Sequence, residues 1–273
     1  MKFIKITVQK IKSITIIGCG RRVRQDVVVS ALAAGISYKN IQLLASQQRT
    51  VLIRDKIFKV GNLSKSKIHG DWVYFAVPSS KVKGLIQKIK LKIKRKKIII
   101  DTPIVDSYLM KHIKNTHIVA EDTYPLLKKT IYTKLNFYKF NILFFYKSFF
   151  YYHGVCFVQT ILGKIRFMIN LSFIKFFIAE KGIALVLGQR NYENGNIVFN
   201  LKTISIPKLN SSDISLIGGT TNFDTFSSRF LDLKRIGLRE IFTNPDKFII
   251  EKSLSFRKCY FQYKLSKSFF YLK

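Results

Sequence analysis

The chain is poor in cysteine and in acid. Its three cysteines, Cys19, Cys156 and Cys259, form no CxxC pair and no even framework. That excludes a disulfide scaffold, suits a reducing compartment and leaves no expected metal site. Asp and Glu number 15 against 48 Lys and Arg, a formal net charge of +33. A field of that sign attracts anions of every kind. The excess is spread along the whole chain, Lys far outnumbers Arg, and Ile, Phe, Tyr and Asn are abundant with it. This is the signature of an A+T-rich coding sequence. No basic–aromatic reader module stands out, so no specific nucleic-acid partner is expected.

Long apolar runs are also missing. The most apolar window, residues 140–162, is interrupted by Lys147 and His153, whereas a spanning helix wants about 20 nearly uninterrupted apolar residues. Its pieces are rich in Phe, Tyr, Val and Ile and fit buried strands better. No membrane span is expected. The opening MKFIKITVQK is broken by lysines and has no apolar h-region of a signal peptide, so a cytoplasmic location is expected. HExxH, GxSxG and Walker loops are absent. So are internal repeats and low-complexity linkers.

What remains is a chain of 273 residues, 48% hydrophobic, with room for one large domain or two modest ones. Residues 13–17 read as a buried strand. Val23, Val27, Ala31 and Ala34 follow at helical spacing, and Gly35 stands where a helix C-cap wants glycine. Residues 41–45, IQLLA, read as a second strand. This is a βαβ unit, on which parallel sheets are built. A tight hairpin is expected over residues 50–63 and a short helix over 64–69. Strands are expected at 72–77, 97–100 and 117–120, and helices at 80–91 and 106–113. From about residue 124 the texture changes. Strands read at 196–206 and 213–217, turns at 193–196 and 217–220, and an amphipathic helix at 232–240 with Leu233, Ile236 and Leu238 on its apolar side. The closing SFFYLK reads as a strand or a tail.

Between the first strand and helix lies GCGRRVRQD, residues 18–26. A Gly-x-Gly turn in that context lets backbone approach a pyrophosphate while the helix N-terminus supplies N–H donors. Gly18 and Gly20 are therefore candidate cofactor-binding residues. The third glycine of the fingerprint is replaced by Val23, which pushes the helix from the strand or from the pyrophosphate. Arg21 and Arg22 read either as phosphate partners or as surface arginines. The second strand ends Ala45-Ser46-Gln47-Gln48-Arg49, without the acid that usually bonds the ribose hydroxyls of NAD. Ser46 and Arg49 suit a 2′-phosphate, because arginine forks onto phosphate oxygens. Arg49 also reads as a solvated hairpin residue.

Strand–GCGRR–helix, DWVYFAVPSS at residues 71–80 and KKIIIDTP at residues 96–103 together resemble a divergent member of the glucose–fructose oxidoreductase/inositol dehydrogenase/MocA (Gfo/Idh/MocA) family. The resemblance implies an α/β chain in two parts. An N-terminal Rossmann-like parallel sheet, residues 1–123, binds the dinucleotide. An α+β domain, residues 124–273, carries an open, mostly antiparallel sheet for substrate and for pairing with a second copy as a homo-oligomer. It implies an NAD(P)-dependent oxidoreductase, with NADP favoured over NAD, moving a hydride to or from a carbonyl, hydroxyl or imine of a small substrate. By the same resemblance Val77, Pro78 and Ser79 line the cofactor, and Tyr152-His153-Gly154 with the apolar, helix-like run 155–162 is similar to the second domain of some divergent members. Asp101 and Pro103 match the Glu-Lys-Pro pattern after the fifth strand, with Pro103 fixing the turn. The family's lysine, which orients substrate and helps proton movement, is replaced by Thr102. Candidates for its role are His153, whose imidazole titrates near neutrality, Asp101, and the adjacent acids Glu121 and Asp122. His153 also reads as a hydrogen-bonded structural histidine, and the acid pair as a turn cap. The vacancy motivates a second reading, a catalytically inactive nucleotide-binding or scaffold protein of the same fold.

Overall fold

A computed structural model describes residues 10–111, 117–120, 138–146, 152–171, 174–187, 197–200, 202–204, 226–246 and 252–272. The chain divides into two compact units. One is Met1–Glu121 with Arg235–Arg257, the other Asp122–Lys234 with Lys258–Lys273. Arg235–Arg257 thus group with the first unit by contacts.

The first unit holds β1 (Ile14–Ile17), β2 (Ile41–Ala45), β3 (Arg49–Ile53), β4 (Lys56–Asn62), β5 (Trp72–Phe75), β6 (Lys97–Asp101) and β7 (His117–Ala120). They form one sheet in the order β3-β4-β2-β1-β5-β6-β7. All pairings are parallel except the β3–β4 hairpin at the edge. β1 and β5 are buried at every residue, as apolar runs covered on both faces must be. Thr15 is the polar residue inside β1, and it is satisfied: its hydroxyl donates to Gln42 Oε1 at 2.8 Å and accepts from the Gly70 N–H at 3.0 Å. Strand order reverses about β1, with β2 on one side and β5 on the other. In open α/β sheets the ligand crevice lies at such a switch point, beyond the carboxyl ends of the strands.

Helix α1 follows β1. It winds as a π-helical stretch over Val23–Val27 and as a regular helix over Val28–Ala33. Val23, at the missing third glycine, is fully buried in the core, and the Val28 N–H reaches back to the Val23 carbonyl. The wider π winding, often found at functional sites, begins at that valine. The helix ends as its sequence indicates. Gly35 takes φ 78°, and the N–H groups of Gly35 and Ile36 bond the carbonyls of Leu32 and Ala31. This is the paired bonding of a Schellman cap. Helix α2 (Ser79–Lys88) follows β5 and α3 (Ser107–Lys111) follows β6. Residues 63–66 form a turn where a short helix is expected over 64–69. Asn62 explains it: its side-chain oxygen accepts the N–H groups of Ser64 and Lys65, an Asx-type competition with helix.

The second unit carries β8 (Asn141–Tyr146), α4 (Tyr152–Leu162), β9 (Ile165–Asn170), β10 (Ile174–Ala179), β11 (Gly182–Leu187), β12 (Ile197–Phe199) and β13 (Lys202–Ile204). Helices α5 (Phe226–Thr243) and α6 (Lys252–Lys267) and strand β14 (Phe270–Leu272) complete the described elements. The sheet order is β13-β12-β8-β11-β10-β9-β14. Its pairs are antiparallel apart from β8 with β11. The window 140–162 gives a strand and then a helix over the helix-like run 155–162, where Val155, Phe157, Val158, Ile161 and Leu162 bury on one helix packed over the sheet, so the composition-based preference for strands holds only in its first part. The strand expected at 196–206 is a hairpin, β12 and β13, turned at Asn200 with φ 48°. The expected strand at 213–217 and the turns at 193–196 and 217–220 lie outside the described residues. Leu233, Ile236 and Leu238 of α5 are buried.

Lys175 on β10 is a charge inside this unit, with no exposed surface. Its ammonium donates to the Ser266 carbonyl at 2.9 Å, in the last turn of α6, where the helix dipole favours a cation. Burial, and then repulsion from Lys267, lower its pKa from 10.5 to about 8. The unfolded chain binds the extra proton between those two values, so this group makes stability rise with pH from about 8 to 10.5, and its cost is fully present below that window. Lys175→Met is expected to stabilise the protein near neutral pH. The gain is at most about 3 kcal/mol, at roughly 1.4 kcal/mol per pKa unit, less about 1 for the lost bond. Urea denaturation of both proteins at neutral and alkaline pH checks this, and the difference should vanish at the alkaline end.

Candidate functional site

The first unit opens a cleft of about 460 Å³ at the switch point, beyond the ends of β1, β2, β4 and β5. Gly18 and Gly20 form its floor. Gly18 takes φ 122°, and a Cβ there would sit 2.3 Å from the Ala76 carbonyl oxygen at the end of β5. Only glycine lets the turn pass that close, and the Gly18 N–H bonds the Leu44 carbonyl at 2.8 Å. Gly20 is the reverse case. A Cβ there would meet nothing within 4 Å, so the backbone at the head of α1 faces open space. Ser46 and Arg49 line the same cleft from the end of β2 and the start of β3, and Val77 and Pro78 line it from beyond β5. Ser79 begins α2 beside them. Arg49 leans over the turn, its Nη2 donating to the Cys19 carbonyl at 3.2 Å. Among the described residues, three cations line this cleft, Arg49, Lys81 and Lys88, and no carboxylate does. Glycine backbone, a helix N-terminus and cations without acids are the donor set a dinucleotide phosphate requires. Clefts of this volume are typical of small-molecule sites.

The other candidates are placed differently. Arg21 is exposed and donates to Gln25 Oε1 at 2.7 Å. Arg22 grips Asp101 with two bonds, Nε to Oδ2 at 3.1 Å and Nη2 to Oδ1 at 3.3 Å. Its Nη1 also bonds Asp26 at 3.1 Å. Asp26 in turn bonds Arg235 Nε at 3.2 Å. Cations and anions thus alternate along a mostly buried chain from the end of β6 through α1 to α5. Asp101 is held against the head of the glycine turn's helix, and its oxygens are taken. Thr102 and Pro103 follow it, joined by a cis peptide bond. His153 lies in the second unit, half-buried on α4 with its ring edge-on to Tyr152 at 5.4 Å. Glu121 and Asp122 lie outside the described residues.

No known protein family and no curated protein matches the chain by sequence. Solved structures do match in three dimensions. A myo-inositol dehydrogenase from Corynebacterium glutamicum superposes with TM-score 0.56 at 10% identity, covering 93% of this chain and 94% of that one. The dehydrogenase MviM from Clostridium difficile gives TM-score 0.57 at 10% identity, covering 95% and 98%. The chain has the fold of these dehydrogenases. Both parts of that fold are present, the parallel Rossmann-like sheet and the mostly antiparallel α+β sheet.

Reading the sequence missed Asn62, Lys81 and Lys88 as cleft residues. Asn62 ties the two strand ends together, its side-chain nitrogen donating to the Ser46 carbonyl at 2.9 Å. A Gly-Asn pair closing a strand was the available signal. The lysines carried none, because lysine is everywhere in this chain.

Proposed function

We propose that the chain is an NAD(P)-dependent oxidoreductase that prefers NADP(H) and acts on a carbonyl, hydroxyl or imine of a small substrate. The observation that carries this is the cleft in which Arg49 stands beside Gly18, Gly20 and Ser46, with no carboxylate among the described lining residues. The hydride chemistry belongs to the cofactor. The chain's own residues bind and orient: the glycine turn and α1 take the pyrophosphate, Arg49 and Ser46 the 2′-phosphate, and Val77, Pro78 and Ser79 line the cofactor beyond β5. Asp101 acts through Arg22 as a positioning group. His153 is the candidate for moving a proton. Isothermal titration tests the reading. NADPH is expected to bind at micromolar concentration and NADH more weakly, and failure of both at millimolar concentration would overturn it.

One observation favours a second reading, binding without turnover. Thr102 has no ionisable group where the family has lysine, and the Asp101 beside it is already occupied by Arg22. Oxidation of bound NADPH by candidate ketones or imines supports the enzyme, and a bound but inert cofactor supports the second reading. Location in the cytoplasm belongs to this proposal. Among the described residues no helix is long and apolar enough to cross a membrane. A second copy of the chain is the proposed partner. The β10-β9-β14 side of the second sheet leaves Ile178, Phe270 and Leu272 exposed, and light scattering at working concentration should report a mass above the monomer.

A further inference from the structure

The segment 81–97, KVKGLIQKIKLKIKRKK, contains no Asp or Glu and more cations than any other run of its length. Its last part, after α2, forms a turn before β6. The turn is firmly held. Ile89 and Ile93 are 4% and 5% exposed. The backbone bonds Lys92 N–H to Ile89 and Lys96 N–H to Ile93, both at 2.9 Å. The Lys92 ammonium donates to three carbonyls, Leu63, Ser64 and Ser66, at 3.0, 2.7 and 3.0 Å. Between these anchors Leu91 points out. It is 88% exposed, more than any other large apolar side chain among the described residues. Lys88, Lys90, Lys94 and Arg95 surround it, all exposed, and none of them forms an ion pair with a described residue.

We infer that this turn docks the protein on an anionic lipid surface. Two halves of one chemistry coincide there. Cations are drawn to a negatively charged leaflet, and a lone apolar side chain enters the boundary between headgroups and acyl chains. The anchors matter because a turn already held in shape loses little entropy on docking. Charge alone would suit a nucleic acid equally well. Leu91 decides for lipid, since a phosphate backbone offers an isolated leucine no apolar phase. Lys88 belongs both to this surface and to the lining of the cleft, so docking places the cleft mouth at the surface. The inference stands on the turn alone and does not depend on which cofactor the cleft holds.

Flotation of the full chain with vesicles tests it. The vesicles are phosphatidylcholine alone, or phosphatidylcholine with roughly a third phosphatidylglycerol. Binding to the anionic vesicles only is expected. Leu91→Ser should weaken it about tenfold, and the triple variant Lys90→Gln, Lys94→Gln, Arg95→Gln on the order of 100-fold. None of these residues lines the cleft, so unchanged circular dichroism and NADPH titration certify folding. A control, Lys39→Gln with Lys164→Gln, removes exposed charge elsewhere and should leave binding unchanged. The proposal is overturned if the control falls as far as the triple variant, if Leu91→Ser has no effect, or if duplex DNA is bound while anionic vesicles are not.

Discussion

Arg49→Ala is expected to weaken NADPH binding by roughly 10- to 100-fold, the worth of a charge-assisted bond to phosphate of about 1.5–3 kcal/mol. NADH binding should change by no more than about threefold. The difference between the cofactors is the test, because Arg49 does two things in the cleft. Its guanidinium donates to the Cys19 carbonyl, which steadies the glycine turn for either cofactor. It also stands at the start of β3, in the cleft beyond the end of β2, where an acid would select NAD. An equal loss for both cofactors would assign it to the turn alone and remove the NADP preference. Arg49→Lys separates charge from geometry: it keeps the charge but loses the fork, and should fall between the wild type and the alanine variant.

Asp26→Ala should strongly destabilise the first unit. Asp26 sits between two guanidinium groups, bonded to Arg22 and to Arg235, with its side chain and that of Arg235 only 8% and 9% exposed. Its removal takes the Asp26 carboxylate away from the buried Arg235, whose Nε also donates to the Gln25 carbonyl. Breaking a buried pair from one side costs about 3–5 kcal/mol, a large part of the roughly 5–15 kcal/mol that holds a domain folded. A lower midpoint in urea denaturation, with a spectrum still folded in buffer, is the expected result. The double variant Asp26→Ala with Arg235→Met should recover much of the loss, because the buried guanidinium that faced Asp26 is then removed with it. No recovery would mean that the cost lies in packing and not in the ion network.

Much of the first unit was legible in the residues. β1, β2, β5 and β6 appear as short apolar runs, and each lies within a residue or two of its expected place. The hairpin of β3 and β4 follows from a polar break between two apolar stretches. Gly18 and Gly35 both hold the positive φ that their places in a turn and a helix cap demand. The second unit was harder. Its runs of Phe, Tyr, Ile and Val suit strand and helix alike, so composition favoured strands across 140–162 while the run 155–162 read as helix-like.

Local chemistry thus specified the elements and the cradle, because turns, caps and periodicity act over a few residues. The Arg22 pairs came from distance in the chain. Arg22 and Asp101 are 79 residues apart, and Asp26 and Arg235 are 209 apart. Before folding, Arg22 was as good a phosphate ligand as Arg49. Strand order put the end of β6 beside the head of α1, and the return of Arg235–Arg257 brought a second guanidinium to Asp26. Those two juxtapositions withdrew Arg22 from the cleft and left Arg49 in it. Which arginine meets an anion depends on which carboxylates the fold brings within about 3 Å, the range where a charged hydrogen bond forms.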